Sequence, residues 1–69
     1  MISDKIKILL IKRKMTMQEL AYKLDTSPQN LSNKISRDNF SEKELLTIAR
    51  ELGCNLDITF TISETGERI

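Results

Sequence analysis

The sequence predicts a mainly α domain of four short helices followed by a C-terminal β-strand or hairpin. Three observations predict it. Apolar residues recur three and four apart from Ile2 to Leu52, the spacing of one helix face. Three helix starts are written into the chain: Thr16-x-x-Glu19, Ser27-Pro28 and Ser41-x-x-Glu44. From Leu56 to Ile62 the period changes to two, the alternation of a strand.

The first helix is expected from about Asp4 to Lys14, with Ser3 as its N-cap. Ile2, Ile6, Leu9 and Leu10 share one face, while Ile8 and Ile11 lie nearly opposite. A helix apolar on two sides must be covered on two sides, so the Ile8 and Ile11 stripe calls for a partner. In the second helix, Thr16 and Glu19 form a capping box, with Met15 and Leu20 as a hydrophobic staple. Leu20, Ala21 and Leu24 point inward. Asp25-Thr26-Ser27 is a turn. Ser27 caps the third helix, and Pro28 takes the first helical position, where its missing N–H costs nothing.

The third helix is expected from Pro28 to Ser36. Leu31 and Ile35 are its only strongly apolar residues, and at 3.6 residues per turn Gln29, Ser32, Asn33 and Ser36 face away from them. Asn30 and Lys34 fall on a flank. Ser41 and Glu44 open the fourth helix with a second capping box, and Phe40 and Leu45 make its staple. Leu45, Ile48, Ala49 and Leu52 form its inner face, and Gly53 ends it where a left-handed conformation is cheap. In the tail, Leu56, Ile58, Phe60 and Ile62 share one strand face. Ser63-Glu64-Thr65-Gly66 reads as a turn, with Glu67-Arg68-Ile69 as a short return strand.

A chain of 69 residues holds one core and is marginally stable without a staple, a metal or a partner. Cys54 is the only cysteine and there is no histidine, so neither an internal disulfide nor a cysteine-based zinc site is available. Cys54 reads as a half-buried apolar residue of a reducing compartment. The first residues lack the pattern of a signal peptide, and no segment reaches the roughly 20 apolar residues of a membrane span. A cytoplasmic protein with no membrane association is the expectation. No histidine, metal cluster or Gly-rich phosphate loop supports catalysis, and no cofactor is expected.

Charge is divided. Residues 1–37 carry eight Lys and Arg against three acidic residues, and residues 38–69 carry three against seven. That division suggests one basic working surface. Two short helices joined by a tight turn, the second of them polar, form the arrangement that enters the major groove of DNA. Gln and Asn both donate and accept hydrogen bonds, and pair bidentately with adenine. Gln29 and Asn33 are therefore expected to read bases, with Asn30 and Ser32 as alternatives, while Lys34 and Arg37 reach phosphates.

The stretches Met15-Thr16-Met17-Gln18-Glu19-Leu20-Ala21, Thr26-Ser27-Pro28-Gln29-Asn30-Leu31-Ser32, Ile48-Ala49 and Leu52-Gly53 resemble the phage-repressor-like helix-turn-helix family, also called the Xre or Cro/C1 type. The resemblance covers about residues 4–53. It implies a compact lambda-repressor-like domain, a palindromic double-stranded operator, dimeric binding and no cofactor. Carried onto this chain, it implies Gln18 to phosphate, Ser27 to phosphate or a base edge, and Gln29, Asn30 and Asn33 to bases. Three positions depart from the family pattern. Asp25 stands where a turn glycine is usual, and Ile35 comes one residue late, after Lys34. Ser36-Arg37-Asp38-Asn39 replaces a glycine after the third helix.

The division expected is a DNA-binding body, residues 1–55, and a dimerisation element of the same domain, residues 56–69. In that dimer the strand of residues 56–62 would pair with the same strand of a second copy and set Ile58, Phe60 and Ile62 against helices, the Ile8 and Ile11 stripe being a surface to receive them. In the competing reading the hairpin folds onto its own helices and the chain is a monomer. An antitoxin-like or other protein-interaction module, with a small protein partner, is the alternative use of the same fold.

Overall fold

The computed structural model describes residues 1–69. Four helices are present: α1 (Ile2–Lys12), α2 (Met17–Lys23), α3 (Pro28–Arg37) and α4 (Glu42–Glu51). Each later start uses the cap written in its sequence. The Thr16 hydroxyl accepts the Glu19 N–H at 3.1 Å, and the Glu19 carboxylate accepts the Thr16 N–H at 3.0 Å. Ser41 and Glu44 repeat the exchange at 3.1 and 2.9 Å. The Ser27 hydroxyl accepts the Asn30 N–H at 3.1 Å, with Pro28 at the first helical position. Such caps contribute about 1 kcal/mol each.

α1 corrects the sequence expectation. It begins at Ile2 rather than near Asp4, so Ser3 is a buried residue of its first turn and not its N-cap. The acceptor comes from 35 positions away: the Asp38 carboxylate takes the Ser3 N–H at 2.7 Å. The helix start is therefore closed by a tertiary contact, which satisfies a first-turn N–H that has no partner within the helix.

Ile6, Leu10, Leu20, Ala21, Leu31, Ile35, Ile48 and Leu52 form one core, drawn from all four helices. Ile2, Leu9, Met15, Leu24, Phe40 and Leu45 pack half-buried around it. Ala21 is fully buried. Its single methyl lets α2 and α3 approach closely, where a larger side chain would be overpacked. The Arg13 guanidinium donates to the Gly53 carbonyl at 3.1 Å and ties the end of α1 to the end of α4.

The tail also corrects an expectation. No β-strand forms over residues 56–62; residues 55–60 are irregular, and pairing is confined to one isolated antiparallel bridge, Thr61 with Arg68. Around it Phe60 and Ile69 exchange backbone hydrogen bonds at 3.2 and 2.8 Å, and the Ile62 N–H donates to the Glu67 carbonyl at 2.8 Å. The physical reason is the lack of a neighbour. Two short extended segments with no third strand and no helix beneath them are marginal in water. The molecule measures 43 × 23 × 18 Å, with a radius of gyration of 13.7 Å. A compact domain of this length would have about 11 Å, so the tail stands off the helical body.

Candidate nucleic-acid interface

The turn between α2 and α3 decides how α3 is presented. The Thr26 N–H donates to the Ala21 carbonyl at 3.0 Å, and the Asp25 N–H to the Tyr22 carbonyl at 3.1 Å. Asp25 has φ of 56°, the left-handed conformation that glycine adopts freely and that Asp tolerates better than most residues. At its other end α3 is closed by Asp38, also left-handed at φ 53° and ψ 42°. Asp thus occupies both positions where the sequence lacks a family glycine. Asp38 does two things at once, ending α3 with its backbone and capping α1 with its carboxylate.

With Leu31 and Ile35 buried, the rotation of α3 is set. Gln29, Asn30, Ser32, Asn33 and Arg37 are all exposed. The Gln29 side-chain amide donates to the Asn33 side-chain carbonyl at 3.2 Å, so the two residues on the outward line form one pre-arranged amide pair. Gln18 is exposed in the first turn of α2, and exposed Ser27 caps α3. A wide depression at the joint of the two helices is lined by Tyr22, Lys23, Asp25, Thr26, Ser27 and Asn30. Gln18, Ser27, Gln29, Asn30 and Asn33 are thus all exposed on the α2–α3 pair, with Gln29 and Asn33 joined to each other and Ser27 and Asn30 sharing the depression at the joint.

Lys34 also has a partner within the chain. Its ammonium lies 2.7 Å from a Glu44 carboxylate oxygen, across the α3–α4 joint. The Lys34 charge beside it, and the Ser41 N–H, hold the Glu44 carboxyl below its ordinary range. Glu19 is likewise lowered, chiefly by the Thr16 backbone N–H. Asp38 is lowered by the Ser3 side chain and then by the Ser3 backbone N–H. The Ser3 hydroxyl makes no hydrogen bond; the bond that joins the two residues is the one from the Ser3 N–H at 2.7 Å. Sequence reasoning missed Asp38 and the second role of Glu44. A capping-box Glu uses one carboxylate oxygen for the cap, and the free oxygen was the available signal for the latter.

The residues expected at a dimer interface do not meet within one chain. Ile8 and Ile11 are exposed along α1, and Ile58, Phe60 and Ile62 are exposed in the tail, Phe60 to 76%. No helix is long and apolar enough to cross a membrane.

A polar helix, held outward on a short partner helix by a left-handed turn, defines a helix-turn-helix DNA-binding domain. The chain belongs to the Cro/C1-type HTH DNA-binding domain family, whose model matches residues 5–57. It is 39% identical over 56 residues to the repressor protein CI of Enterobacteria phage phi80, across 81% of this chain and 24% of that protein. The chain therefore spans about a quarter of that relative's length. No solved structure matches the chain. The family is one of DNA-binding regulators.

Proposed function

We propose that this protein is a sequence-specific repressor that places α3 in the major groove of a palindromic operator. The observation that supports it most is the outward amide pair of Gln29 and Asn33 on α3, beside the likeness to a phage repressor protein. Amides are the side chains that read adenine edges in the major groove. A pair already hydrogen-bonded to each other loses little freedom on binding. Gln29 and Asn33 specify bases, with Asn30 and Ser32 beside them. Gln18, Ser27 and Arg37 hold phosphates.

Two copies bind together through residues 56–69, joined to the DNA-binding body of residues 1–55. Exposed Ile58, Phe60 and Ile62 give the tail apolar side chains for a second copy to cover. Ile8 and Ile11 of the other copy offer the apolar surface. Two-fold pairing of this kind sets two recognition helices about one turn of DNA, roughly 34 Å, apart.

Selection of bound sequences from random duplex DNA tests the reading. The expected result is a palindromic site whose affinity falls with salt. Gln29→Ala should weaken it by about 1–3 kcal/mol and relax choice at one base pair. No enriched sequence, with affinity flat in salt, overturns the DNA reading. Sedimentation of the full chain beside a chain ending at Asn55 tests the dimer. Monomers in both cases, with equal DNA binding, overturn it.

A further inference from the structure

The molecule carries eleven Lys and Arg and ten acidic residues, yet only one pair of opposite charges comes within 4 Å. That pair is Lys34 with Glu44, and it joins the DNA-facing helix to the helix behind it. Both side chains are themselves partly exposed, to 43% and 37%, so the contact is notable for its position between the two helices rather than for burial.

Its geometry is built from both sides. Glu44 is the third residue of α4, and one carboxylate oxygen already accepts the Ser41 N–H at 2.9 Å. That bond fixes the carboxylate, so its second oxygen is presented rather than free to wander. Lys34 is placed by its neighbour Ile35, which is buried and sets the rotation of α3. At about 100° per residue, Lys34 lies one step round the helix from Asn33, on the flank of the proposed reading face. Lys34 and Glu44 are among the residues that line a cavity of about 150 Å³, together with Leu24, Leu31, Phe40 and Ile48. An ammonium on that flank is otherwise positioned to reach a phosphate at the groove edge.

We propose that Glu44 withholds Lys34 from DNA, keeping one cation of the recognition helix out of the phosphate contacts and so lowering affinity for duplex DNA of any sequence without changing which sequence is preferred. This inference rests on the reading of α3 as the DNA helix. Phosphate contacts contribute affinity without sequence information, whereas base contacts contribute discrimination. Holding back one phosphate contact lowers affinity for every sequence alike and leaves the amide pair to decide between sequences. Arg37, one turn further along α3, makes no ion pair and keeps its phosphate role.

Glu44→Gln is the substitution that tests this, because Gln serves a capping box as Glu does. It removes the charge and keeps the acceptor for the Ser41 N–H. Affinity for random-sequence duplex is measured against salt for the full chain, Glu44→Gln, Lys34→Gln and the double variant. Glu44→Gln is expected to bind more tightly at low salt, with a slope of log affinity against log salt steeper by about 0.9. That slope makes its advantage shrink about 3.5-fold between 50 and 200 mM salt. In the Lys34→Gln background the gain disappears. An equal gain in both backgrounds means only that a negative charge near DNA was removed, and overturns the proposal, as does no gain or a loss.

A second measurement follows the pair itself. The Glu44 carboxyl carbon resonance of the unaltered chain is followed on adding duplex DNA. The shift that Lys34→Gln causes in the free chain marks loss of the pair; a smaller shift of the unaltered chain on binding DNA supports retention, and a shift as large in the same direction means that Lys34 has left Glu44 and overturns the proposal. If the unaltered chain has no affinity for duplex DNA, it is the DNA reading that fails. If it binds and the four chains share one salt slope, only the role of Glu44 fails.

Discussion

The helical body and the tail are built from similar residues and reach opposite ends. All ten buried residues lie between Ser3 and Leu52, whereas every residue from Asp57 onward is exposed. Ile6 and Leu20 are buried; Ile58 and Phe60, equally apolar, are not. The difference lies in what each segment can face. An amphipathic helix finds three others within the same chain, and the four bury one common core. An alternating segment whose only neighbour is its own three-residue return has one backbone edge and two side-chain faces left over. Apolar patterning thus states a demand for cover, and the rest of the chain determines whether it can be met.

The largest expected contrast is between core and tail truncations. Leu20→Ala removes a fully buried side chain from the centre of the body and should cost about 2–5 kcal/mol. A domain of this size has roughly 3–10 kcal/mol in total, so the loss is close to unfolding. Phe60→Ala should leave the thermal stability of the dilute, monomeric chain within about 0.5 kcal/mol. Circular-dichroism melting of both variants checks this, and equal losses would mean that the tail packs on its own body in solution.

A smaller effect separates the regions by pH. Glu19, Glu44 and Asp38 all have lowered carboxyl pKa values in the folded chain, and all three hold helix starts of the body. A lowered pKa means stability that is present above the ordinary carboxylate value, roughly 4, and is lost as pH falls through the lowered one. The body should therefore lose stability on acidification through and below pH ~4. Substituting Glu19→Gln and Glu44→Gln should flatten that loss while leaving the caps in place. Melting temperature against pH reads it; a parallel curve for the variants would show that other groups set the acid limit.

The smallest effect concerns the turns. Lys14, Asp25 and Asp38 are left-handed non-glycine residues of the body, and Gly66, at φ 77°, turns the tail. Lys gains nothing local from that conformation, while Asp side chains can hydrogen-bond nearby backbone. Lys14→Gly is therefore expected to stabilise the body more than Asp25→Gly, each by less than about 1 kcal/mol after the added freedom of the unfolded chain. Asp38→Gly should run the other way, because it also removes the cap on Ser3. Denaturant midpoints of the three variants rank them.

Much of this molecule was legible in its residues. The capping boxes of Thr16 and Ser41 and the Ser27-Pro28 start place three helices to within a residue or two, because a capping box is a contact between positions three apart. The Leu31 and Ile35 pair also predicts which side of α3 is outward, since helix rotation follows from which residues are buried. The rest required contacts that no local spacing records. Asp38 caps α1 from the far end of α3, which moved the start of α1 and put Ser3 inside the helix. Glu44 meets Lys34 across two helices, giving an expected phosphate ligand an internal partner. Leu56–Ile62 has the alternation of a strand without becoming one, because a strand is defined by its neighbours. Local hydrogen bonds and helical period are properties of a short stretch of chain, and the sequence determined them alone. Acceptors, ion pairs and sheet partners contributed from distant positions exist only once the chain has folded, and the tertiary structure decided those.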